Sequence, residues 1–230
     1  MRASGHERFD IVAIASSAGG INALIRLVAG LDPEASPPTI VVQHLPLSVR
    51  SNLVDVLGAR TALSVKWATD GDALTRGTIY VAPQRSEVVV ASNNRLRVLS
   101  CARNRLGTPA ADPLFESIAK QFGSRAIAVV LTGLLWDGAA GIQALKRCGS
   151  TILIQNPDTA LAPGMPQAAI DTAGLHFVLP LNRIPLALST LINVPKVVPL
   201  LIDRSVPLRH WLRYTDNFGA ISEHFPATQD

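Results

Sequence analysis

The stretch Ile11-Val12-Ala13-Ile14-Ala15-Ser16-Ser17-Ala18-Gly19-Gly20 constrains the fold of this chain more than any other. Five apolar residues run into a string of small ones. Ile21-Asn22-Ala23-Leu24-Ile25 then continues at helical spacing. A continuous apolar run bounded by glycines predicts a strand buried on both faces, as in a parallel sheet. The small residues allow a sharp turn and close packing of the following helix. Ser16 and Ser17 therefore sit where a strand's carboxyl end meets a helix's amino end. In open α/β sheets that crevice binds ligands, and helix N-terminal amides there stabilise a phosphate or a developing oxyanion. The simpler alternative is that the two serines only cap the helix. Neither G-x-G-x-x-G nor G-x-S-x-G is present, so neither a dinucleotide site nor an ordinary hydrolase elbow is indicated.

Composition excludes several function classes. With 230 residues, 48% of them hydrophobic and 17% charged, the chain can bury a sizeable core and is not globally disordered. The formal net charge of +4 comes without a dense Lys/Arg run, so no nucleic-acid groove is indicated. Cys101 and Cys148 show neither metal-ligand spacing nor a disulfide framework, which fits a reducing cytoplasm. The polar N-terminus lacks the apolar core of a signal peptide, and no apolar stretch is long enough for a membrane span. The expectation is a cytoplasmic protein without membrane insertion.

Along the chain, strands are predicted at 39–43, 63–67, 78–82, 87–90, 95–99, 126–131, 151–154 and 176–178. Helices are predicted near 21–31, 51–57, 113–122, 139–147, 166–172 and 185–191. The alternation indicates a doubly wound, mostly parallel α/β sheet flanked by helices. Asn93-Asn94 turns two of the middle strands into a hairpin, expected as a small antiparallel edge on that sheet. After about Val194 the pattern breaks at Pro195, Pro199 and Pro207, leaving 1–193 as one domain and 194–230 as a C-terminal extension of unknown role. Trp211, Tyr214 and Phe218 in that extension could fold back onto the body.

Three strand ends carry complementary chemistry: Ser17 after the first strand, His44 after the second and Asp137 in the loop after 126–131. A parallel sheet places all three on one edge. A serine hydroxyl needs a base to take its proton, and histidine has a suitable pKa. A carboxylate on the far ring nitrogen fixes the tautomer and steadies the imidazolium. Each member also has a plainer reading. His44 could be a structural hydrogen-bonder, and Asp137-Gly138 a turn with a helix cap.

The same segments resemble the catalytic domain of the chemotaxis protein-glutamate methylesterases, the CheB family. Ser16-Ser17-Ala18-Gly19-Gly20 is similar to its Ala-Ser-Thr-Gly-Gly, and Gln43-His44-Leu45-Pro46 to its Gln-His-Met-Pro. Tyr80-Val81-Ala82-Pro83, Ala111-Asp112-Pro113-Leu114-Phe115, Leu131-Thr132-Gly133-Leu134 with Asp137-Gly138, and Gly164-Met165-Pro166 match further motifs in collinear order over roughly residues 9 to 192. The resemblance implies a serine hydrolase that demethylates γ-glutamyl methyl esters on the cytoplasmic helices of chemoreceptors and deamidates certain receptor glutamines. It implies Ser17 as nucleophile, His44 as base and Asp137 as the orienting acid. Backbone N–H groups of Ala18 and Leu134 are the oxyanion-hole candidates. No metal or organic cofactor is implied.

Departures from the family pattern stand beside the match. Ala18 replaces a threonine, and Ile21 the proline that opens the helix. Gly133-Leu134-Leu135-Trp136 replaces Gly-Met-Gly-x, setting an indole beside Asp137. Gln84-Arg85-Ser86-Glu87 lacks a histidine often found there, and Asn156 replaces an aspartate. Only about ten residues precede the first strand, so the expectation is a stand-alone catalytic domain without a receiver domain. It would be constitutive, or controlled by a partner protein or by its own C-terminal tail. Two rival readings remain at this stage. One is a scaffold or binding protein of the same fold with its site blocked by Trp136. The other is a phosphate or nucleotide binder using Ala18-Gly19-Gly20, which leaves His44 and Asp137 unexplained.

Overall fold

The computed structural model describes residues 9–45, 51–100, 111–173 and 177–193. Its centre is the apolar run singled out above, which forms β1 (Ile11–Ser16) and is buried along its whole length. Six further strands join it: β2 (Thr39–Gln43), β3 (Ser64–Trp67), β4 (Thr78–Val81), β7 (Ala126–Val130), β8 (Thr151–Gln155) and β9 (Phe177–Leu179). All pairs are parallel, in the order β3-β4-β2-β1-β7-β8-β9. The strand order reverses on either side of β1, where β2 and β7 flank it. That is the topological switch point at which open α/β sheets place their ligands.

Helices cover both faces. Alternate β1 side chains Val12 and Ile14 pack under α1 (Gly20–Val28), α2 (Leu53–Gly58) and α6 (Ile184–Asn193). Ile11, Ala13 and Ala15 face α3 (Ala111–Phe122), α4 (Ala139–Arg147) and α5 (Gly164–Ala173). On this second face Ala13, Ala15 and Ala128 leave room for the large side chains of α3, with Phe115 and Ile118 fully buried. Burying a side chain of the Ile or Phe class contributes about 1.5–3 kcal/mol, so two-sided burial is the chief reason that this sequence forms a central strand.

The doubly wound fold expected from the sequence is present, but the hairpin lies elsewhere. β5 (Ser86–Val90) and β6 (Leu96–Ser100) form a separate two-stranded antiparallel sheet, not an edge of the large one. The strand before them, β4, is internal, hydrogen-bonded to β2 on one side and to β3 on the other. The short strand β3 thus already occupies the edge where the hairpin was expected. Val88, Val90 and Leu96 instead join the core on the α3 face, and the Val90 amide donates to Ser117 Oγ at 3.0 Å. Asn94, at φ 57°, makes the expected turn, a conformation that asparagine tolerates. His176, Cys101 and the aromatic residues of the C-terminal extension lie outside the described residues.

Candidate active site

Parallel register brings the three strand ends together. Ser16 is level with Gln43, and Ala15 with Val130. The next residues along each strand therefore emerge side by side at the carboxyl edge. The β1–α1 turn is held from both sides: the Ser17 amide donates to the Thr132 carbonyl at 3.0 Å, and the Gly20 amide to the Ser17 carbonyl at 2.8 Å. Gly19 turns the chain at φ 78°, a region that favours glycine. Gly20 is required for space, because a Cβ there would lie 2.2 Å from Gln43 Oε1 and 2.7 Å from Ser16 Cβ.

Neither serine caps α1, whose start has no side-chain cap bond. The Ser16 hydroxyl donates instead to Gln43 Oε1 at 2.7 Å. Ser17 Oγ lies 3.2 Å from His44 Nδ1, and His44 Nε2 lies 2.7 Å from Asp137 Oδ2. An ionised carboxylate only accepts, so Nε2 carries the ring hydrogen and Nδ1 is left to accept the serine proton. The relay from Ser17 through His44 to Asp137 is continuous, with the last two side chains about one-sixth exposed.

Asp137 does cap a helix, though not its sequence neighbour. Both its oxygens accept from the Ala111 amide, at 3.0 and 2.9 Å, which satisfies an orphan N–H at the start of α3. Asp112, one residue further on, returns the interaction: its Oδ1 accepts from the Gly141 amide in the first turn of α4 at 2.8 Å. The helices are in close contact there, since a Cβ on Gly141 would lie 2.5 Å from Phe115 Cβ. The carboxylate facing His44 is thus fixed by a crossed pair of caps between α3 and α4.

Two glutamines support the site. Gln43, buried at the end of β2, donates from Nε2 to the carbonyls of Ser17 at 2.8 Å and His44 at 2.9 Å. One side chain therefore holds the backbone of both residues. Gln155, buried at the end of β8, accepts from the Thr132 amide at 2.9 Å and donates to the Thr159 carbonyl at 2.9 Å. Thr132 Oγ1 in turn accepts from the Ala162 amide at 2.8 Å and donates to the Ala18 carbonyl at 2.9 Å. Sequence reasoning missed these supports. The available signal was an amide side chain closing a buried apolar strand, where burial demands hydrogen-bond partners.

The loop after β7 is clamped from behind. The Gly133 amide donates to the Ala162 carbonyl at 2.9 Å, and the Met165 amide to the Gly133 carbonyl at 2.8 Å. Gly133 fits between Met165 and Ser17, where a Cβ would lie 2.1 Å from Met165 Sδ and 2.9 Å from Ser17 Cβ. The amides of Ser17, Thr132 and Gly133 are thereby engaged, whereas those of Ala18 and Leu134 have no acceptor among the described residues. Two rigidly held free N–H groups beside a serine suit an oxyanion. The Trp136 side chain is solvent-exposed. Among the described residues no group of three or more His, Cys, Asp or Glu could hold a metal ion. Chemically, this arrangement can carry out nucleophilic acyl transfer through a serine.

The family model for CheB methylesterase matches residues 12–188, which include Ser17, His44 and Asp137. The chain belongs to the CheB methylesterase family. Among its relatives are a protein-glutamate methylesterase/protein-glutamine glutaminase of Geobacillus kaustophilus and another of Burkholderia thailandensis. The first is 36% identical over 196 residues, covering 84% of this chain and 56% of the relative. The second is 36% identical over 177 residues, covering 76% and 49%. The chain thus spans about half the length of these CheB-family relatives. The crystal structure of the Thermotoga maritima CheB methylesterase catalytic domain superposes with a TM-score of 0.73 at 31% identity, covering 79% of this chain and 98% of that one.

Proposed function

We propose that this chain is a protein-glutamate methylesterase, removing methyl groups from γ-glutamyl esters on the cytoplasmic helices of chemoreceptors and deamidating receptor glutamines by the same route. The observation that carries the reading is the unbroken relay of Ser17 Oγ, His44 and Asp137 at the switch point, in a chain of this family. In the proposed reaction Ser17 Oγ attacks the ester carbonyl as its proton passes to His44 Nδ1. Asp137, on Nε2, steadies the imidazolium. The tetrahedral oxyanion accepts from the Ala18 and Leu134 amides. Methoxide then leaves, taking the proton from His44 as methanol, and an acyl-enzyme remains. Water, deprotonated by the same imidazole, releases the glutamate carboxylate and regenerates Ser17. On a glutamine the leaving group is ammonia.

Catalysis is assigned to the domain of residues 1–193, working in the cytoplasm, with residues 194–230 or a partner protein as its control. Among the described residues no helix is long and apolar enough to cross a membrane. The test is methanol release from methyl-labelled receptor by wild-type protein and Ser17→Ala. Among the described residues the Ser17 hydroxyl bonds to His44 alone, so Ser17→Ala should stay folded and lose the activity. Release by Ser17→Ala at the wild-type rate would refute the assignment.

A further inference from the structure

The described residues expose few large apolar side chains, and most of them surround the turn that carries Ser17. Leu161 is 80% exposed, Leu135 and Trp136 are each 68%, Leu134 is 59% and Ile21 is 40%. Contacts place Leu161 and Leu135 on the loops beside that turn. Leu161 leans over the turn, its Cβ 2.8 Å from where a Cβ on Gly19 would lie. Ile21 is the second residue of α1. The backbone N and O of Leu135 both lie 2.8 Å from the corresponding point on Gly164, so glycine at 164 makes room for the loop. Leu135 itself stands at φ 63°, an unfavourable conformation for leucine. The clamp between Gly133, Ala162 and Met165 keeps the loop from relaxing. The fold therefore maintains an outward-facing apolar rim at the cost of backbone strain. Large apolar side chains exposed on neighbouring loops in this way mark an interaction site.

The rim also lacks charge. Residues 18–25, 132–136 and 159–170 contain no Asp, Glu, Lys or Arg. Its place determines the occupant, because a carbonyl reaching Ser17 from a protein substrate must bring the neighbouring chain across these side chains. We propose that the rim formed by Ile21, Leu135, Trp136 and Leu161 is a substrate-docking surface that seats uncharged, apolar side chains flanking the esterified glutamate. This rests on the methylesterase reading and specifies which esters are taken. It also aids turnover: the neutral ester suits an uncharged surface, whereas the carboxylate product is better solvated in water.

The test uses two series of N-acetylated peptide amides of equal length, each carrying one γ-glutamyl methyl ester. Leu and Val flank the ester in one series, Ser and Asn in the other. Methanol release is measured for the full-length wild type, Ser17→Ala and the double variant Leu135→Ser/Leu161→Ser. The expected result is kcat/KM about tenfold higher for the apolar series, arising from KM, with the preference reduced to about twofold in the double variant. Equal Ser17-dependent release from both series would overturn the docking proposal and leave the methylesterase reading standing. No Ser17-dependent release from either series or from methylated receptor would overturn both. A preference that emerges only on dilution would assign the rim to a second copy of the chain. One that emerges only in Trp211→Ser/Leu212→Ser would assign it to the C-terminal extension. Either result would overturn the proposal.

Discussion

Gln43→Ala should damage stability and catalysis together, because one side chain serves three partners. The amide is buried, and the Ser16 hydroxyl that donates to it is wholly inaccessible. Leaving that hydroxyl unpaired costs about 1–3 kcal/mol. The Ser17 carbonyl keeps the Gly20 amide as donor and loses little. The His44 carbonyl loses its donor among the described residues, which adds about 1 kcal/mol. The sum is about 2–4 kcal/mol, a large share of the ~5–15 kcal/mol that holds a typical domain. Urea unfolding followed by tryptophan fluorescence would measure it. Ser16→Ala removes the orphaned hydroxyl, so the double variant should lose less than the sum of the singles, by about 1 kcal/mol. Freed from Gln43, Ser17 and His44 should also drift, and a misplacement of ~1 Å costs on the order of 10²-fold in rate. A loss below about 0.5 kcal/mol, the level of an ordinary surface change, with kcat/KM unaltered, would refute the reasoning.

The crossed caps between α3 and α4 should behave as one unit. Asp112→Ala should cost about 1 kcal/mol, as for loss of a helix cap, and lower kcat by loosening Asp137. Asp112→Asn, which keeps Oδ1 as acceptor for the Gly141 amide, should restore both, and an asparagine variant as impaired as the alanine one would contradict this. Gly141→Ala sets helix propensity, which favours alanine by ~1 kcal/mol, against a Cβ 2.5 Å from Phe115 Cβ. Overpacking of ~1–3 kcal/mol should win, so thermal unfolding should shift downward, and an upward shift would count against the contact. Asp70 fastens β6: the Val98 amide and then the Arg97 guanidinium hold its carboxyl below the usual aspartate range. Since the folded value is the lower one, this tie is complete above the ordinary aspartate pKa and is lost as pH falls through the folded value. Amide exchange of β5 and β6, corrected for its intrinsic pH dependence, should therefore lose protection in that acidic range. It should lose less in Asp70→Asn.

The chain's own residues determine the central strand and the identity of its reactive groups. Ile11–Ala15 is apolar at every position and bounded by small residues and glycines, which suits a strand buried on both faces. The small residues after it demand a tight turn, and Ser17, His44 and Asp137 each follow a β-branched or alanine-rich run. These signals are local in sequence, so periodicity and composition reveal them. Tertiary structure decided what those groups bond to. Ser16 and Asp137 both read as helix caps for the helix that follows, yet Ser16 turns to Gln43, and Asp137 caps α3, 26 residues earlier in the chain. The hairpin read as a sheet edge because its alternation is that of a strand pair, and no local pattern states that β3 already holds that edge. Partners for buried polar atoms are chosen by the register of parallel strands and by where helices cross. Those follow from how the whole set of apolar faces packs, and no short window of residues contains that information.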